Sequence, residues 1–306
     1  MSTSFAFSYE EMVSRNAGLL SATEQALLRE ARVLVCGAGG AGGAALQSLV
    51  RAGVGAVTIA DRDVFERSNL NRQLFATADT VGKLKASATA EALLRINPSL
   101  GVETHGADWV EHLDALLPAH QAVLDAMDDV AASIALYRKA RELGVTVIGS
   151  YALPLPSVTV VRPADPRPEE RLCYPTTRTN WRVLTDDEVA GCRMADARYA
   201  LVHSSWARHT SAELIAGQLS GTTPAPSLAP FAILTGTLMA LETIKLLARR
   251  DTVDCRGVFL DPWRLRTELP KPAPIAWALD RMAQRKVRRT VNRRTGGPLT
   301  GGPEDR

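Results

Sequence analysis

The first half of the chain alternates short β-branched apolar runs with longer stretches whose apolar residues recur at helical spacing. The apolar runs predict five strands, at 32–36, 56–60, 100–105, 121–125 and 145–149. The longer stretches predict four helices between them, at 40–52, 82–96, 110–117 and 130–143. Strands that alternate with helices predict an α/β fold, with a Rossmann-like, mostly parallel sheet and helices on both faces.

The pattern changes after a strand-like run from Ser157 to Arg162. Residues 163–229 are rich in Pro, Thr, Ser and Arg, and only 184–216 has a partly helical pattern. Long irregular insertions are usually functional, so we expect a substrate or crossover loop here. Residues 230–249 return to a strongly apolar helix, and 257–269 predict paired strands, a small antiparallel C-terminal part.

These changes divide the chain into four predicted parts. They are a core with N-terminal helices (1–162), the insertion (163–229), a return to the core (230–275) and a tail (276–306). The tail is basic between Arg281 and Arg294 and then rich in Gly and Pro, which predicts disorder. Such a basic tail can bind nucleic acid or an acidic peptide, but it is more often a solvated helix end, so we do not expect nucleic-acid binding.

Composition excludes several classes of protein. The chain contains 46% apolar residues but no run of about 18 of them, so we expect no membrane span. The N-terminus lacks the basic start and apolar stretch of a secretory signal, which predicts a cytoplasmic protein. Four scattered cysteines without a C-x-x-C pair argue against a disulfide framework and a four-cysteine zinc site.

A glycine-rich turn follows the first predicted strand. Gly37, Gly39 and Gly42 fit G-x-G-x-x-G between an apolar strand and a helix. Glycines let the backbone approach a phosphate, and the helix N-terminus supplies free N–H groups and a positive dipole. The second strand ends in Asp61, where an acidic residue usually binds a ribose hydroxyl. The pattern therefore predicts a nucleotide site.

Charged residues around the predicted carboxyl edge of the sheet indicate which nucleotide it is. Arg72 lies in Ser68-Asn69-Leu70-Asn71-Arg72-Gln73, Lys85 follows it by thirteen residues, and Asp128 comes after the strand at 121–125. Two cations can neutralise β- and γ-phosphate charge, and Asp128 can hold Mg²⁺. We expect Asp125 to bind loop amides instead. A nicotinamide-dependent oxidoreductase needs the glycine turn but not these residues, so it is a remote alternative, as is a non-catalytic scaffold.

Together these motifs resemble the ThiF/MoeB/HesA family of ubiquitin-activating-type adenylyltransferases. The resemblance covers about residues 8–162 and 228–250, and includes Arg95-Ile-Asn-Pro98. It implies a homodimeric α/β enzyme in which a carboxylate attacks the α-phosphate of ATP, giving an acyl-adenylate and pyrophosphate. Such an enzyme works mostly by orientation and charge stabilisation.

The resemblance also implies roles for individual residues. Gly39, Gly40 and Gly42 would line the turn at the phosphates of ATP. Asp61 would bind the ribose, and Asn69 and Gln73 would approach the phosphates. Arg72 and Lys85 would contact the triphosphate, and Asp128 would coordinate Mg²⁺. Arg15 resembles the arginine that reaches across the dimer into the partner's ATP site. Asp63 either caps the loop turn or contacts the nucleotide directly.

Two departures from the family pattern concern cysteines. Many members hold zinc with two C-x-x-C pairs, but the first place reads Cys173-Tyr-Pro-Thr176 and the second pair is absent near 255–265. We therefore predict that no zinc is bound. Other members form a thioester on a cysteine of the insertion, where Cys192 is either a bystander, which we favour, or a nucleophile.

Two substrate classes remain open. One is a ribosomally made precursor peptide of natural-product biosynthesis, whose activated carboxylate is captured by an amine or amide. The other is a ubiquitin-like sulfur-carrier protein ending in Gly-Gly. We favour the peptide because an irregular insertion replaces the usual zinc-tethered segment. Trp181, Tyr174 and Trp206 in the insertion either form a peptide-docking surface or anchor the insertion by burial.

Overall fold

The computed structural model describes residues 6–151, 155–219, 223 and 226–281. Most of the predicted basic tail therefore lies outside the described residues. The strands are β1 (Arg32–Cys36), β2 (Ala56–Ala60), β3 (Gly101–His105), β4 (Ala122–Asp125), β5 (Val147–Gly149), β6 (Ser157–Val161), β7 (Val258–Asp261) and β8 (Arg266–Glu268). They form one sheet in the order β3-β2-β1-β4-β5-β6-β7-β8.

The sheet combines a parallel and an antiparallel half. The first five strands pair in parallel, whereas β6, β7 and β8 each pair antiparallel to their neighbour. This confirms the predicted α/β class and the antiparallel C-terminal part. The strand order reverses between β1 and β4, and ligands of open α/β sheets bind at the carboxyl ends of the strands at such a point.

Helices cover the sheet and fill the insertion. They are α1 (Tyr9–Val13), α2 (Ala22–Glu30), α3 (Gly40–Ala52), α4 (Lys85–Leu94), α5 (Leu113–Leu116), α6 (Val130–Glu142), α7 (Pro168–Arg171), α8 (Asp186–His203), α9 (Trp206–His209), α10 (Ala212–Leu219) and α11 (Ala229–Leu247). The chain is also helical over 273–281. α4 begins three residues later than predicted, because the preceding loop turns at Gly82 with φ +88°.

The insertion is more regular than predicted. It contains α7 to α10, and α8 alone runs for 18 residues. The apolar residues of α8 do not gather on one face, so its sequence carries little helical periodicity. Its beginning is set locally instead, because Thr185 and Glu188 form a capping box.

Helix α11 packs closely against α3, the helix that follows the glycine-rich turn. A Cβ placed on Gly236 of α11 would lie 2.1 Å from the carbonyl oxygen of Ala41 in α3, so only glycine permits this approach. Within the described part of the chain, α11 is the one helix long and apolar enough to span a membrane. A core helix passes the same test, and α11 packs on α3 as a core helix does.

Candidate nucleotide site

The turn between β1 and α3 is built for close approach of a ligand to the backbone. Gly37 has φ +95°, and a Cβ there would lie 2.6 Å from the carbonyl oxygen of Ala126. Gly39 is the N-cap of α3 and provides no side chain to bind the first N–H groups of the helix. These N–H groups and the helix dipole form a site suited to an anion such as phosphate.

Gly42 leaves room for the backbone of Gly37 in the same turn. A Cβ on Gly42 would lie 1.8 Å from the carbonyl oxygen of Gly37, which is far inside van der Waals contact. We expect Gly42→Ala to lower the free energy of unfolding by about 3 kcal/mol, measured by denaturant titration, because the turn must shift. The control Gly106→Ala meets no atom within 4 Å and should change it by under about 0.5 kcal/mol. Equal stability of the two variants would contradict this reading.

A cavity of about 300 Å³ opens beside the glycine turn, at the reversal point of the sheet. Nine of the twelve predicted site residues line it: Gly37, Gly39, Gly40, Asp61, Asp63, Arg72, Gln73, Lys85 and Asp128. They come from the loops after β1, β2 and β4 and from the start of α4. The fold thus gathers residues separated by up to 91 positions, from Gly37 to Asp128, around one space.

The other three predicted residues do not line the cavity. Gly42 packs against Gly37 inside the turn. Asn69 is buried, and its Oδ1 accepts a hydrogen bond from the N–H of Glu66 at 3.0 Å, so it shapes the loop. Arg15 is exposed on a short 3-10 helix, Ser14–Asn16. Its expected contact needs a second copy of the chain, so that role and the homodimer stay predictions.

Asp61 connects the glycine turn to the loop after β2. Its Oδ2 accepts from the N–H of Ala38 at 2.7 Å, and its Oδ1 accepts from the N–H of Asp63 at 2.8 Å. Burial raises the pKa of this carboxyl group, because the charged form loses hydration. Each oxygen retains a lone pair, so Asp61 can still accept a hydroxyl of a ribose.

We expect Asp61→Asn to weaken ATP binding by about tenfold, equivalent to ~1.4 kcal/mol, because a carboxylate acceptor is lost. The rate at saturating ATP should change much less, since the ribose lies away from the reacting phosphate. Calorimetric titration with ATP measures the dissociation constant, and thermal unfolding checks the fold. Glu91→Gln, on the exposed face of α4, is the matched control. An unchanged ATP affinity for Asp61→Asn would rule out the ribose contact.

The two predicted cationic side chains, Lys85 and Arg72, have different partners. Lys85 is only 8% exposed, and its Nζ lies 2.9 Å from Oδ2 of the exposed Asp63. Nη1 of Arg72 donates to the carbonyl oxygen of Ser68 and to Oδ1 of Asn71, both at 2.8 Å. These bonds orient the guanidinium and use one of its nitrogens, so its remaining N–H groups are available to phosphate oxygens.

Gln73 provides an independent sign of a ligand. Its side chain is 8% exposed, lines the cavity, and its Oε1 is buried without a hydrogen-bond partner. Its Nε2 lies 3.5 Å from the position of a Cβ on Gly39, directly against the glycine turn. Buried polar atoms in proteins are normally hydrogen-bonded, so an unpaired amide oxygen in the cavity wall fits a ligand that brings a donor, such as a ribose hydroxyl.

Three acidic residues follow β4 and have different surroundings. Asp125 accepts from Ser133 Oγ at 2.5 Å and from the N–H of Met127 at 3.3 Å, as expected, and burial raises its pKa to about 6. Asp129 caps α6 through Oδ1, and its Oδ2 lies 3.0 Å from Nη2 of Arg62. Asp128 is exposed at the cavity wall, and can therefore act as a Mg²⁺ ligand together with phosphate oxygens.

Neither Cys192 nor Cys36 lines this cavity. Cys192 is fully buried beside Thr176, and burial raises its pKa, so the thiolate needed for attack is disfavoured. Cys36 is buried within β1. Over the described residues, no group of three or more His, Cys, Asp and Glu side chains is arranged to hold a metal. The expectation that zinc is not bound stays a prediction.

This chain resembles one protein family and several known adenylyltransferases in sequence. The sequence pattern of the ThiF family matches residues 13–274. The chain is 44% identical over 109 residues to the molybdopterin-synthase adenylyltransferase of Escherichia coli, covering 35% of this chain and 43% of that protein. It is 38% identical over 145 residues to the adenylyltransferase and sulfurtransferase UBA4 of Eremothecium gossypii, covering 47% of this chain and 32% of that protein. The match thus spans less than half the length of either relative.

The fold is shared with a solved structure. Escherichia coli MccB, crystallised with ATP, superposes with a TM-score of 0.59 at 17% identity, over 81% of this chain and 65% of that one. At this identity the likeness concerns the fold alone.

Proposed function

The chain belongs to the ThiF family, and from this premise we propose that it is an ATP- and Mg²⁺-dependent adenylyltransferase that activates a carboxylate. The observation that carries the proposal is the convergence of Arg72, Lys85 and Asp128 on the cavity beside the glycine turn. A nicotinamide-dependent oxidoreductase would leave those three residues without a chemical role.

In the proposed reaction a substrate carboxylate oxygen attacks the α-phosphorus of ATP. A bond forms between that oxygen and phosphorus, the bond to the bridging oxygen of the β-phosphate breaks, and pyrophosphate leaves with the electron pair. Arg72 and Lys85 stabilise the negative charge that grows on the leaving pyrophosphate. Asp128 would hold the Mg²⁺ ion, which neutralises phosphate charge, and the glycine turn positions the phosphates.

We propose a ribosomally made peptide as the substrate, with 163–229 forming much of its binding surface. The names of the two relatives favour the alternative, a sulfur-carrier protein ending in Gly-Gly. Their alignments cover less than half of this chain, however, and leave the rest uncompared. The activated carboxylate would then be captured by an amine or amide of the peptide. A cytoplasmic location remains part of this proposal.

ATP–pyrophosphate exchange tests the reaction and separates the substrate classes. We expect exchange to be stimulated by members of a synthetic peptide library and not by a purified ubiquitin-like carrier ending in Gly-Gly. Stimulation by the carrier alone would replace the peptide proposal with its alternative. Tight NAD binding without ATP binding would overturn the adenylyltransferase proposal itself.

A further inference from the structure

The end of the insertion forms part of the wall of the nucleotide cavity. Pro226 and Ser227 line this cavity, as Arg72 does, and α11 begins two residues after Ser227. The position of a Cβ on Gly40 lies 3.1 Å from Cβ of Ala232 in α11 and 3.9 Å from Cγ of Arg72. The end of the insertion, the first turn of α11 and the side chain of Arg72 therefore meet beside the glycine turn.

One side chain connects the end of the insertion to the guanidinium of Arg72. Nδ2 of Asn71 donates to the carbonyl oxygen of Ser227 at 3.0 Å, which joins residues 156 positions apart. Oδ1 of the same amide accepts from Nη1 of Arg72 at 2.8 Å. Nη1 also donates to the carbonyl oxygen of Ser68, so both of its hydrogens are used. Asn71 thus lies between the insertion and the cation, with one hydrogen bond to each.

The two partners of Asn71 require the same orientation of its amide. A carbonyl oxygen can only accept a hydrogen bond, and a guanidinium can only donate. The amide must therefore present its nitrogen to Ser227 and its oxygen to Arg72, because turning it over would lose both bonds. An aspartate could not donate to Ser227, and a leucine of similar shape could pair with neither partner. The position therefore demands a side chain that donates on one side and accepts on the other.

We propose that Asn71 is a positioning residue that couples the end of the insertion to the guanidinium of Arg72. With residues 226–228 in place, the carbonyl oxygen of Ser227 holds the amide, and the amide holds Nη1. The remaining N–H groups of Arg72 are then directed to phosphate oxygens. A displaced segment releases the amide and lets the guanidinium turn. The effect on ATP rests on the proposed function, whereas the coupling is a property of the protein without nucleotide.

A fluorine label beside Ser227 reports on the coupling in the absence of nucleotide. Leu228 is 48% exposed and follows Ser227 directly. Leu228→Cys is labelled with a trifluoromethyl thiol reagent in a Cys173→Ser background, because Cys173 is an exposed thiol. The ¹⁹F spectrum of this labelled protein is recorded with Arg72→Met, with Asn71→Ala, with both substitutions and with neither.

We expect Arg72→Met to shift the fluorine resonance when Asn71 is present, because the amide that holds Ser227 loses its other partner. The same substitution should leave the resonance unchanged in Asn71→Ala protein. Gln121→Ala is the matched control, because Gln121 is an exposed amide that accepts from the N–H of Arg32 at the opposite end of β1. In that protein the response to Arg72→Met should persist. An equal response with and without Asn71, or no response in either, would overturn the coupling.

Nucleotide affinity tests the positioning of the cation. The unlabelled proteins are titrated calorimetrically with ATP–Mg²⁺, and AMP is measured by its displacement of ATP. We expect Asn71→Ala to weaken ATP binding by about tenfold, because a hydrogen bond that orients a charged donor is lost. AMP lacks the β- and γ-phosphates, so its affinity should be unchanged, whereas a general loss of structure would weaken both ligands. Adding Asn71→Ala to Arg72→Met should weaken ATP binding no further.

An undiminished ATP affinity of Asn71→Ala, or equal losses for ATP and AMP, would overturn the positioning role. A parent protein that did not bind ATP, or an Arg72→Met variant that bound it as tightly as the parent, would count against the proposed function instead. The fluorine comparison would still decide the coupling in that case. If Asn71→Ala does not fold, Asn71→Asp keeps the shape of the side chain and removes the donor to Ser227, and the same fluorine comparison applies.

Discussion

Arg72→Ala is expected to reduce ATP–pyrophosphate exchange by about a thousandfold, because a preorganised cation is lost where charge develops in the transition state. A factor of this size corresponds to ~4 kcal/mol of transition-state stabilisation. The guanidinium is already oriented by Ser68 and Asn71, so its contribution needs no reorganisation during the reaction. Exchange is measured at saturating ATP, where an effect on the rate is separated from an effect on binding.

The matched control for this substitution is Arg67→Ala. Arg67 is exposed in the same loop, is basic, and does not line the nucleotide cavity. We expect Arg67→Ala to retain near-normal exchange and both variants to have the circular dichroism spectrum of the parent protein. If Arg72→Ala kept near-normal exchange, the role assigned to Arg72 would be wrong.

Asp128→Asn is expected to lower exchange at low Mg²⁺ by about a hundredfold or more, because the amide oxygen carries no charge to hold the cation. The substitution keeps the shape of the side chain, and Asp128 is exposed, so the fold should be unaffected. Raising the Mg²⁺ concentration should recover part of the rate, since the phosphates still bind the ion. The measurement is exchange rate against Mg²⁺ concentration at fixed ATP.

The control for the carboxylate is Asp251→Asn, an exposed acid outside the cavity. Its Mg²⁺ dependence should match that of the parent protein. An identical Mg²⁺ dependence for Asp128→Asn and Asp251→Asn would move the metal-binding role to another residue. Asp129 is less suited to that role, because it already caps α6 and pairs with Arg62.

Most of the sheet could be predicted from local pattern. The spans of β1, β2 and α3 agree with the predicted 32–36, 56–60 and 40–52, because apolar runs and a G-x-G-x-x-G turn constrain the backbone over short distances. The insertion was less predictable. α8 has weak periodicity, and its burial comes from partners far along the chain, so its helical span does not show in the sequence.

The candidate site likewise combines residues that the sequence identified with contacts that it did not predict. Asp61 and Asp128 could be predicted because they follow strands, and parallel strands bring their carboxyl ends to one edge of the sheet. Gly39 could be predicted from the glycine-rich turn. Three contacts had no local signal: the Lys85–Asp63 pair, the Arg62–Asp129 pair, and the stacking of Arg171 on Tyr151 and Tyr199. Each joins segments that only the packed fold brings together.

The three aromatic residues singled out in the insertion all make contacts that anchor it. Trp206 is fully buried and Tyr174 donates to Asp196, and both contacts anchor the insertion. Trp181 packs against the core beside α6. Sequence alone had left docking and anchoring equally open; burial supports anchoring, and docking stays a prediction.

The sequence by itself determined the family, the sheet and the backbone turn that faces a phosphate. Each depends on neighbours within a few residues, where steric limits and apolar periodicity act directly. Only the tertiary structure decided which side chains line the nucleotide cavity and which ion pairs hold them, such as Lys85–Asp63. Those arrangements depend on packing free energy summed over distant segments, which no local pattern encodes.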